Sequence, residues 1–163
     1  MKGYAVKSAE DISTETQKYL TFILDNQYFA IPIKNVMEII SMQDPTEMPD
    51  FPPYVKGIIN LRGKIIPLID LRTRFHRSEC EYNERTSVIV VKVREFDVGF
   101  IVDEVDEVID LSKSQIAPPP NMSSEIQNRY IIGVGKYADK IILILDSNKV
   151  LSEDEIDDIS SGL

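Results

Sequence analysis

The sequence predicts an all-β, mainly β-strand protein built of two tandem five-stranded barrels with a shared core, short helical turns and a short C-terminal helix. The apolar residues fall in short runs separated by turn residues, and the runs of the first half recur in the second half. Because an open sheet of five short strands leaves its edges exposed, closure into a small barrel is favoured. Each unit of roughly 65 residues is marginal on its own, so we expect the two units to share a core. A single large β-sandwich is the alternative.

Composition limits the class of protein. A chain of 163 residues can bury a core without disulfides, and its single cysteine, Cys80, cannot form an internal one, which indicates a reducing, cytoplasmic environment. The N-terminus has no apolar core and no run approaches the length of a membrane-spanning helix, so we expect no direct insertion into a membrane. The 27 acidic residues outnumber the 18 Lys and Arg residues. The resulting charge of −9 argues against a nucleic-acid partner, because phosphate binding depends on clustered basic residues.

The first element in the chain is a β-hairpin. Residues 1–16 are polar and aperiodic, which predicts a flexible N-terminal tail. Apolar residues alternate along Tyr19–Leu24, the turn-forming residues Asp25–Gln27 follow, and a second apolar run covers Tyr28–Ile31. These runs predict two antiparallel strands joined by a tight turn.

A helical turn and a third strand follow this hairpin. Ile33, Val36 and Met37 have the spacing of one helical turn with an apolar face. The segment Glu38–Met42 predicts another short strand, and the prolines after it exclude regular structure up to about Tyr54.

The segment Val55–Phe75, with the sequence VKGIINLRGKIIPLIDLRTRF, predicts a second hairpin with an exposed basic tip. Its apolar runs Gly57–Leu61 and Lys64–Asp70 are separated only by Arg62 and Gly63, a two-residue turn in which glycine supplies the unusual dihedral angles. The proline inside the second run lacks an N–H donor, so this strand is expected at a sheet edge or with one partner near the proline. The guanidinium of Arg62 suits a partner carboxylate, and a solvated turn arginine is the alternative.

The second half of the chain repeats the pattern of the first. After the polar connector Leu71–Ser87, the segment Val98–Ile109 matches Phe29–Ile40, and Gly133–Asp146 matches Gly57–Asp70. A proline-rich loop in the second half takes up the difference in length.

The repeat defines the expected domain organisation. One domain covers residues 17–151, with barrel subdomains at about 17–85 and 86–151 that could exchange terminal strands. The segment after Ser147 begins as a helix, and residues 152–163 are expected to fray into an acidic C-terminal tail.

No residue pattern indicates a catalytic, metal or cofactor site. His76 is the only histidine and has no second metal ligand at a suitable spacing, and Cys80 lacks a third group that would orient a cysteine–histidine pair. Asp70 and Asp146 occupy equivalent strand ends, where helix capping explains them better than acid–base catalysis. A chain of apolar strands with few chemical groups favours a module that binds other proteins. A small-ligand-binding or hydrolytic domain would need a polar cluster that the sequence lacks.

The central hairpin resembles the signature GxxNLRGxxxPxxDLR of the CheW family of bacterial chemotaxis coupling proteins. The matching residues are Gly57, Asn60, Leu61, Arg62, Gly63, Pro67, Asp70, Leu71 and Arg72. The resemblance extends from about Tyr19 to Leu151 and implies two tandem SH3-like barrels. It also implies a non-enzymatic adaptor, located in the cytoplasm at membrane-associated receptor arrays. Such an adaptor joins the cytoplasmic tip of methyl-accepting chemotaxis receptors to the regulatory domain of the histidine kinase CheA.

The resemblance also implies a receptor-binding surface. The residues that it places at or near a groove between the barrels are Arg62, Asn60, Gly63, Glu38, Ile33, Val36 and Val98. For the kinase it implies only apolar strand surfaces at the barrel ends, without individual residues. The regulatory domain of CheA and the CheV proteins share the fold. The length of the chain argues against both, because no kinase segments and no receiver domain fit in it.

Overall fold

The computed structural model describes residues 15–119 and 129–163, which contain eleven β-strands, three α-helices and two 3-10 turns. The strands are β1 (Thr16–Leu24), β2 (Gln27–Pro32), β3 (Val36–Ser41), β4 (Val55–Leu61), β5 (Lys64–Asp70), β6 (Ser87–Val93), β7 (Phe96–Val102), β8 (Glu104–Ser112), β9 (Ile116–Ala117), β10 (Ile131–Tyr137) and β11 (Lys140–Leu145). The helices are α1 (Leu71–Arg74), α2 (Ser147–Val150) and α3 (Glu153–Ser161), and the 3-10 turns are Ile33–Asn35 and Lys113–Gln115. The predicted mainly β class with short helices is confirmed.

Each of the two sheets takes strands from both halves of the chain. One sheet has the order β3-β6-β7-β5-β4, and the other has the order β8-β1-β2-β11-β10-β9. The two parallel junctions are equivalent, because Leu68 of β5 lies opposite Gly99 of β7 just as Ile144 of β11 lies opposite Ala30 of β2. The sheets therefore cross the expected boundary at residue 85, and the first two strands of each half have changed places.

Both hairpin turns form where the sequence predicts them, but the first has two residues rather than the three expected, because β2 already begins at Gln27. Asp25 and Asn26 join β1 to β2 with φ angles of 51° and 63°, and Arg62 and Gly63 join β4 to β5 with φ angles of 54° and 88°. The strand β5 is not at an edge, because it pairs with both β4 and β7. Its ladder with β7 covers only the three residues after Pro67, so the missing N–H falls outside that ladder, as the one-sided alternative predicts.

Three apolar clusters fill the fold, and the largest is shared by the two sheets. Aromatic rings cross this shared core in a row, with ring centroids 5.9 Å apart for Phe22 and Phe29, 6.1 Å for Phe29 and Phe75, and 5.2 Å for Phe75 and Tyr130. Each sheet also encloses a smaller apolar cluster of its own. The shared core that the small size of each unit predicts is therefore present.

The expectation that the C-terminal segment frays is wrong for residues 153–161. These residues form α3, and Ser152 and Glu155 close its first turn with reciprocal side-chain to backbone hydrogen bonds, a capping box. Ile156 and Ile159 lie on one face of α3 and are buried in the shared core. Four of the five acidic residues occupy exposed positions of this ordered helix, and Glu155 is partly buried.

An ion pair joins α1 to the single residue that links β7 to β8. Arg72 donates from Nε and Nη2 to the two oxygens of Asp103, at 2.8 and 2.6 Å, and Asp103 also accepts from the N–H of Asp25 in the β1–β2 turn. Burial raises the pKa of Asp103, but the hydrogen bonds from Arg72 and Asp25 outweigh burial and hold the pKa below its ordinary value. The pKa of Asp97 is lowered in the same way, because hydrogen bonds from two lysines outweigh the effect of burial.

Stability should fall when the pH drops below about 4, because Asp97 and Asp103 have lower pKa values in the folded state than in the unfolded chain. Their stabilisation is fully present above the unfolded pKa and is lost as the pH falls through the folded pKa. The measurement is the free energy of unfolding in urea between about pH 7 and about pH 3. Asp103→Asn should show a smaller loss over this range than wild type, whereas the exposed control Asp44→Asn should match wild type. An unchanged pH dependence in Asp103→Asn would contradict this explanation.

Candidate partner-binding site

The tip of the β4–β5 hairpin presents Arg62 to solvent. The side-chain oxygen of Asn60 accepts a hydrogen bond of 2.7 Å from the N–H of Gly63, which fixes the two-residue turn. The side chain of Arg62 is 72% exposed. Asn60, Arg62 and Gly63 therefore act together, two of them shaping the turn and one projecting from it.

Arg62 forms a bidentate ion pair with Glu38 of the edge strand β3. Its Nη1 lies 2.6 Å from Oε1 and its Nη2 lies 2.5 Å from Oε2 of Glu38. The hydrogen bond from Arg62 is the main reason why the pKa of Glu38 lies below its ordinary value. The ion pair spans the gap between the two edge elements of the five-stranded sheet. An exposed pair of this kind contributes little stability, and it leaves the guanidinium held in one orientation at the surface.

The six-stranded sheet has no arginine at the turn between β10 and β11, which is the equivalent of the β4–β5 turn. The repeat places Ala138 where Arg62 stands. Its cation comes instead from Lys140, whose Nζ lies 3.3 Å from Asp106 Oδ2 and 3.5 Å from Glu107 Oε2. Each sheet thus carries an ion pair near this turn, but only the five-stranded sheet presents an arginine at the tip.

Several signature residues hold the hairpin and its neighbours in place. Asp70 caps α1, because its Oδ1 accepts from the N–H groups of Arg72 at 2.9 Å and Thr73 at 3.3 Å. Leu71 is buried in the shared core. Asp146 caps α2 through the N–H two residues further on, at 2.9 Å. The capping role predicted for both aspartates is confirmed.

The apolar residues that the resemblance implies for receptor binding are more buried than Arg62 at the hairpin tip. Ile33 and Val36 are partly buried and pack against the shared core. Val98 is only 1% exposed. Val36 and Val98 both pair with Val91, so the three valines form a row across β3, β6 and β7. A direct contact through Val98 is therefore not available on this surface, because its side chain is used in packing.

Three exposed apolar residues that neighbour Glu38 or the hairpin tip in the chain were not identified from the sequence. Met37 and Ile39 flank Glu38 on β3 and are 50% and 44% exposed, and Ile65 follows the hairpin tip and is also exposed. The alternation of exposure along β3 is the period of a strand. A strand with large apolar residues on both faces would ordinarily predict burial on both, so the sequence alone did not identify these residues as surface.

The histidine and the cysteine considered for catalysis lie at the surface. His76 and Cys80 are both exposed on the connector after α1. Within residues 15–119 and 129–163, no three or more His, Cys, Asp or Glu side chains are grouped so that they could hold a metal ion. In the same part of the chain, none of the helices has the length and apolar character that crossing a membrane would require.

Comparison with known proteins identifies similar sequences over nearly the whole chain. Residues 18–155 match the family model described as CheW-like domain. The chain is 35% identical over 156 residues to the chemotaxis protein CheW of Klebsiella aerogenes, and the match covers 96% of this chain and 94% of that protein. It is 34% identical over 138 residues to the chemotaxis protein CheW of Bacillus subtilis, with 85% and 88% covered.

A solved structure is similar as well. The crystal structure of the scaffolding protein TtCheW from Thermoanaerobacter tengcongensis matches this structure with a TM-score of 0.79 and 32% sequence identity. The match covers 85% of this chain and 94% of that chain.

Proposed function

This chain belongs to the CheW family, and we propose that it is a non-enzymatic adaptor that couples methyl-accepting chemotaxis receptors to the histidine kinase CheA. The observation that supports this most is the family match over residues 18–155, with relatives that carry the name chemotaxis protein CheW. The similar protein of known structure, TtCheW, is itself described as a scaffolding protein. An adaptor of this kind works in the cytoplasm, at the membrane-associated receptor array.

We assign the receptor contact to the surface around the Arg62–Glu38 pair. Glu38 holds the guanidinium of Arg62 in place. Less side-chain freedom is therefore lost when a partner carboxylate binds to the remaining N–H donors of Arg62. Exposed apolar side chains neighbour both partners of the ion pair in the chain: Met37 and Ile39 flank Glu38, and Ile65 lies three residues after Arg62. Apolar area around an anchoring arginine is typical of the centre of a protein interface. Ile33 and Val36 support this surface from below.

We assign the contact with the regulatory domain of the kinase to a different sheet. Val108, Ile132 and Ile141 are large apolar side chains that are exposed on the six-stranded sheet. Exposed apolar residues on strands are suited to a strand-rich partner domain. Two contacts on two sheets would allow the receptor and the kinase to bind at the same time, as an adaptor requires.

Reconstitution tests the adaptor function. A receptor signalling fragment and CheA are mixed with and without this protein, and kinase autophosphorylation and formation of the three-component complex are measured. We expect the protein to increase both. If neither kinase activity nor complex formation changes, the adaptor function is wrong.

Arg62→Glu should weaken binding of the receptor fragment at least about tenfold, or about 1.4 kcal/mol. It should change the free energy of unfolding by less than about 0.5 kcal/mol, because the side chain is exposed. Isothermal titration and urea unfolding measure the two quantities. Arg85→Glu is the matched control, since Arg85 is 67% exposed and lies 4.0 Å from its nearest carboxylate.

The charge swap Arg62→Glu with Glu38→Arg separates recognition from structure. The swap can re-form the ion pair within the protein, so a purely structural role predicts that receptor binding returns. Direct recognition by Arg62 predicts that binding stays weak. Equal binding by Arg62→Glu and Arg85→Glu would contradict the assignment of the receptor contact to this surface.

A further inference from the structure

A basic recess of about 350 Å³ lies where α1, the β6–β7 turn, the start of β10 and α2 meet. Its wall carries the cations Arg74, Arg94, Arg129 and Lys149 and one carboxylate, that of Glu155. Four cations around one recess are unusual in a chain of net charge −9. The residues responsible come from distant parts of the sequence, so the fold itself assembles the cluster.

The recess is separate from the surface around Arg62. Strand β5 begins directly after the hairpin tip, and α1, which ends at Arg74, follows the other end of this strand. A strand of this length spans roughly 20 Å. The tip and the recess therefore lie at opposite ends of the same hairpin, and one partner can occupy the recess while another contacts the tip.

The innermost charges of the recess are already used by the fold. Arg74 donates to the carbonyl oxygen of Val150 at 2.8 Å and to Glu155 Oε1 at 2.7 Å. Glu155 also accepts from the N–H of Ser152 and from the hydroxyl of Tyr54. Arg74 and Glu155 therefore neutralise each other at the base of the recess and offer little to a ligand.

The outer charges remain accessible. Arg94 is oriented by a hydrogen bond of 3.0 Å from its Nε to the carbonyl oxygen of Leu151, and it lies 3.5 Å from the highly exposed Glu153. Arg129 and Lys149 are exposed, and among the described residues neither forms an ion pair. Three cations with accessible donors thus surround the opening of the recess.

The wall of the recess also holds an unused polar group. Tyr130 lines the recess, its ring lies 5.8 Å from the guanidinium of Arg129, and its hydroxyl is buried with no hydrogen-bond partner among the described residues. Buried polar atoms are almost always paired, so the hydroxyl of this residue, whose ring also packs against Phe75 in the shared core, is an exception.

We propose that this recess is a second protein-binding site that takes a short carboxylate-rich segment of a partner protein, held by Arg94, Arg129 and Lys149. Arginine binds carboxylates through paired N–H donors, and the three side chains come from three different elements, so they can contact successive acidic residues. A short segment experiences mainly the local charge, because salt screens charges beyond about 8 Å at physiological ionic strength. A long polyanion such as nucleic acid would be repelled by the net charge of −9.

Binding of a fluorescein-labelled hexaglutamate peptide to the full chain tests the proposal by fluorescence anisotropy. We expect the peptide to bind and its affinity to fall as salt is added. The double variant Arg129→Glu with Lys149→Glu should lower the affinity at least about tenfold. The matched control is Lys113→Glu with Lys136→Glu, an equal charge change at exposed residues elsewhere. The milder pair Arg129→Gln with Lys149→Gln, checked by circular dichroism, keeps the test valid if the charge reversal impairs folding.

Three results would overturn the proposal. The first is absence of peptide binding to the wild-type chain, and the second is an equal loss in the recess and control variants, which would reflect net charge alone. The third is full displacement of the peptide by inorganic phosphate added at the same concentration as the peptide, which would identify a small-anion site instead. None of these results depends on whether the protein couples receptors to the kinase.

Discussion

Replacing Gly57 with alanine should destabilise the protein by about 3 kcal/mol, because this position has neither the backbone angles nor the space for a side chain. Its φ angle is +147°, and a Cβ atom would lie 2.4 Å from the carbonyl oxygen of Thr46 and 2.9 Å from Cβ of Pro45. Thr46 is fixed to the neighbouring strand by two backbone hydrogen bonds with Ile58, of 2.8 and 2.9 Å. The closest clash is with a backbone oxygen and the other is with a proline ring, so no change of rotamer can relieve them.

Gly63 provides the control for this substitution. Its φ angle is +88°, but no atom lies within 4 Å of the position that a Cβ would take. Gly63→Ala should therefore cost only the backbone strain, about 1 kcal/mol. Urea unfolding measures both variants, and hydrogen exchange at the amides of Thr46 and Ile58 should accelerate only in Gly57→Ala. Equal losses in the two variants would show that steric contact with Thr46 is not the cause.

The comparison of Gly57 with Arg62 shows that some residues of the sequence signature are needed for the fold and others present a side chain at the surface. Gly57 is needed because the segment after β3 closes over β4 at this point, whereas the side chain of Arg62 pairs with Glu38 at the surface. The sequence predicted the hairpin, its two-residue turn and its exposed tip, because those features depend on residues close together in the chain. The bidentate pairing of Arg62 with Glu38 depends on closure between two sheet edges, so it could not be predicted from local sequence.

The exchange of the first two strands between the two halves of the chain also could not be predicted from local sequence. The repeat shows which strands are equivalent, but Leu68 could pair beside Ala30 of its own half or beside Gly99 of the other half. Both neighbours are small and both are buried, so their composition does not distinguish the two pairings. Only the packing across the shared core decides between them, and that packing involves both halves at once.

The C-terminal helix could have been predicted from local sequence, but the acidic composition of the segment led to the wrong prediction. Ser152 and Glu155 have the spacing of a capping box, and Ile156 and Ile159 have the spacing of one helix face. The five acidic residues between positions 153 and 158 suggested a solvated tail instead. Two buried isoleucines are enough to anchor a helix whose other positions are charged, because only one face has to be apolar.

The second large effect is expected at Arg74, where alanine should cost about 3 kcal/mol of stability. The guanidinium carbon lies 4.6 Å from the ring centroid of Tyr54 and 5.3 Å from the ring centroid of Tyr130. Its donors bind the carbonyl oxygen of Val150 and the carboxylate of Glu155. Removal of the side chain leaves both acceptors without this donor and leaves Glu155 partly buried without its cation, which costs more than the loss of an exposed ion pair.

The loss at Arg74 should act first on the C-terminal helix, because Arg74 of α1 is bonded both to Glu155 in the first turn of α3 and to the chain just before it. Hydrogen exchange in α3 should therefore accelerate more than in the ladder between β6 and β7. Arg74→Lys should recover part of the stability, since it keeps the charge beside the tyrosine rings but cannot make both hydrogen bonds. The exposed control Arg85→Ala should change stability by less than about 0.5 kcal/mol. If Arg74→Ala costs no more than this control, the helix is held by Ile156 and Ile159 alone, and the buried ion pair is not what secures the end of the chain.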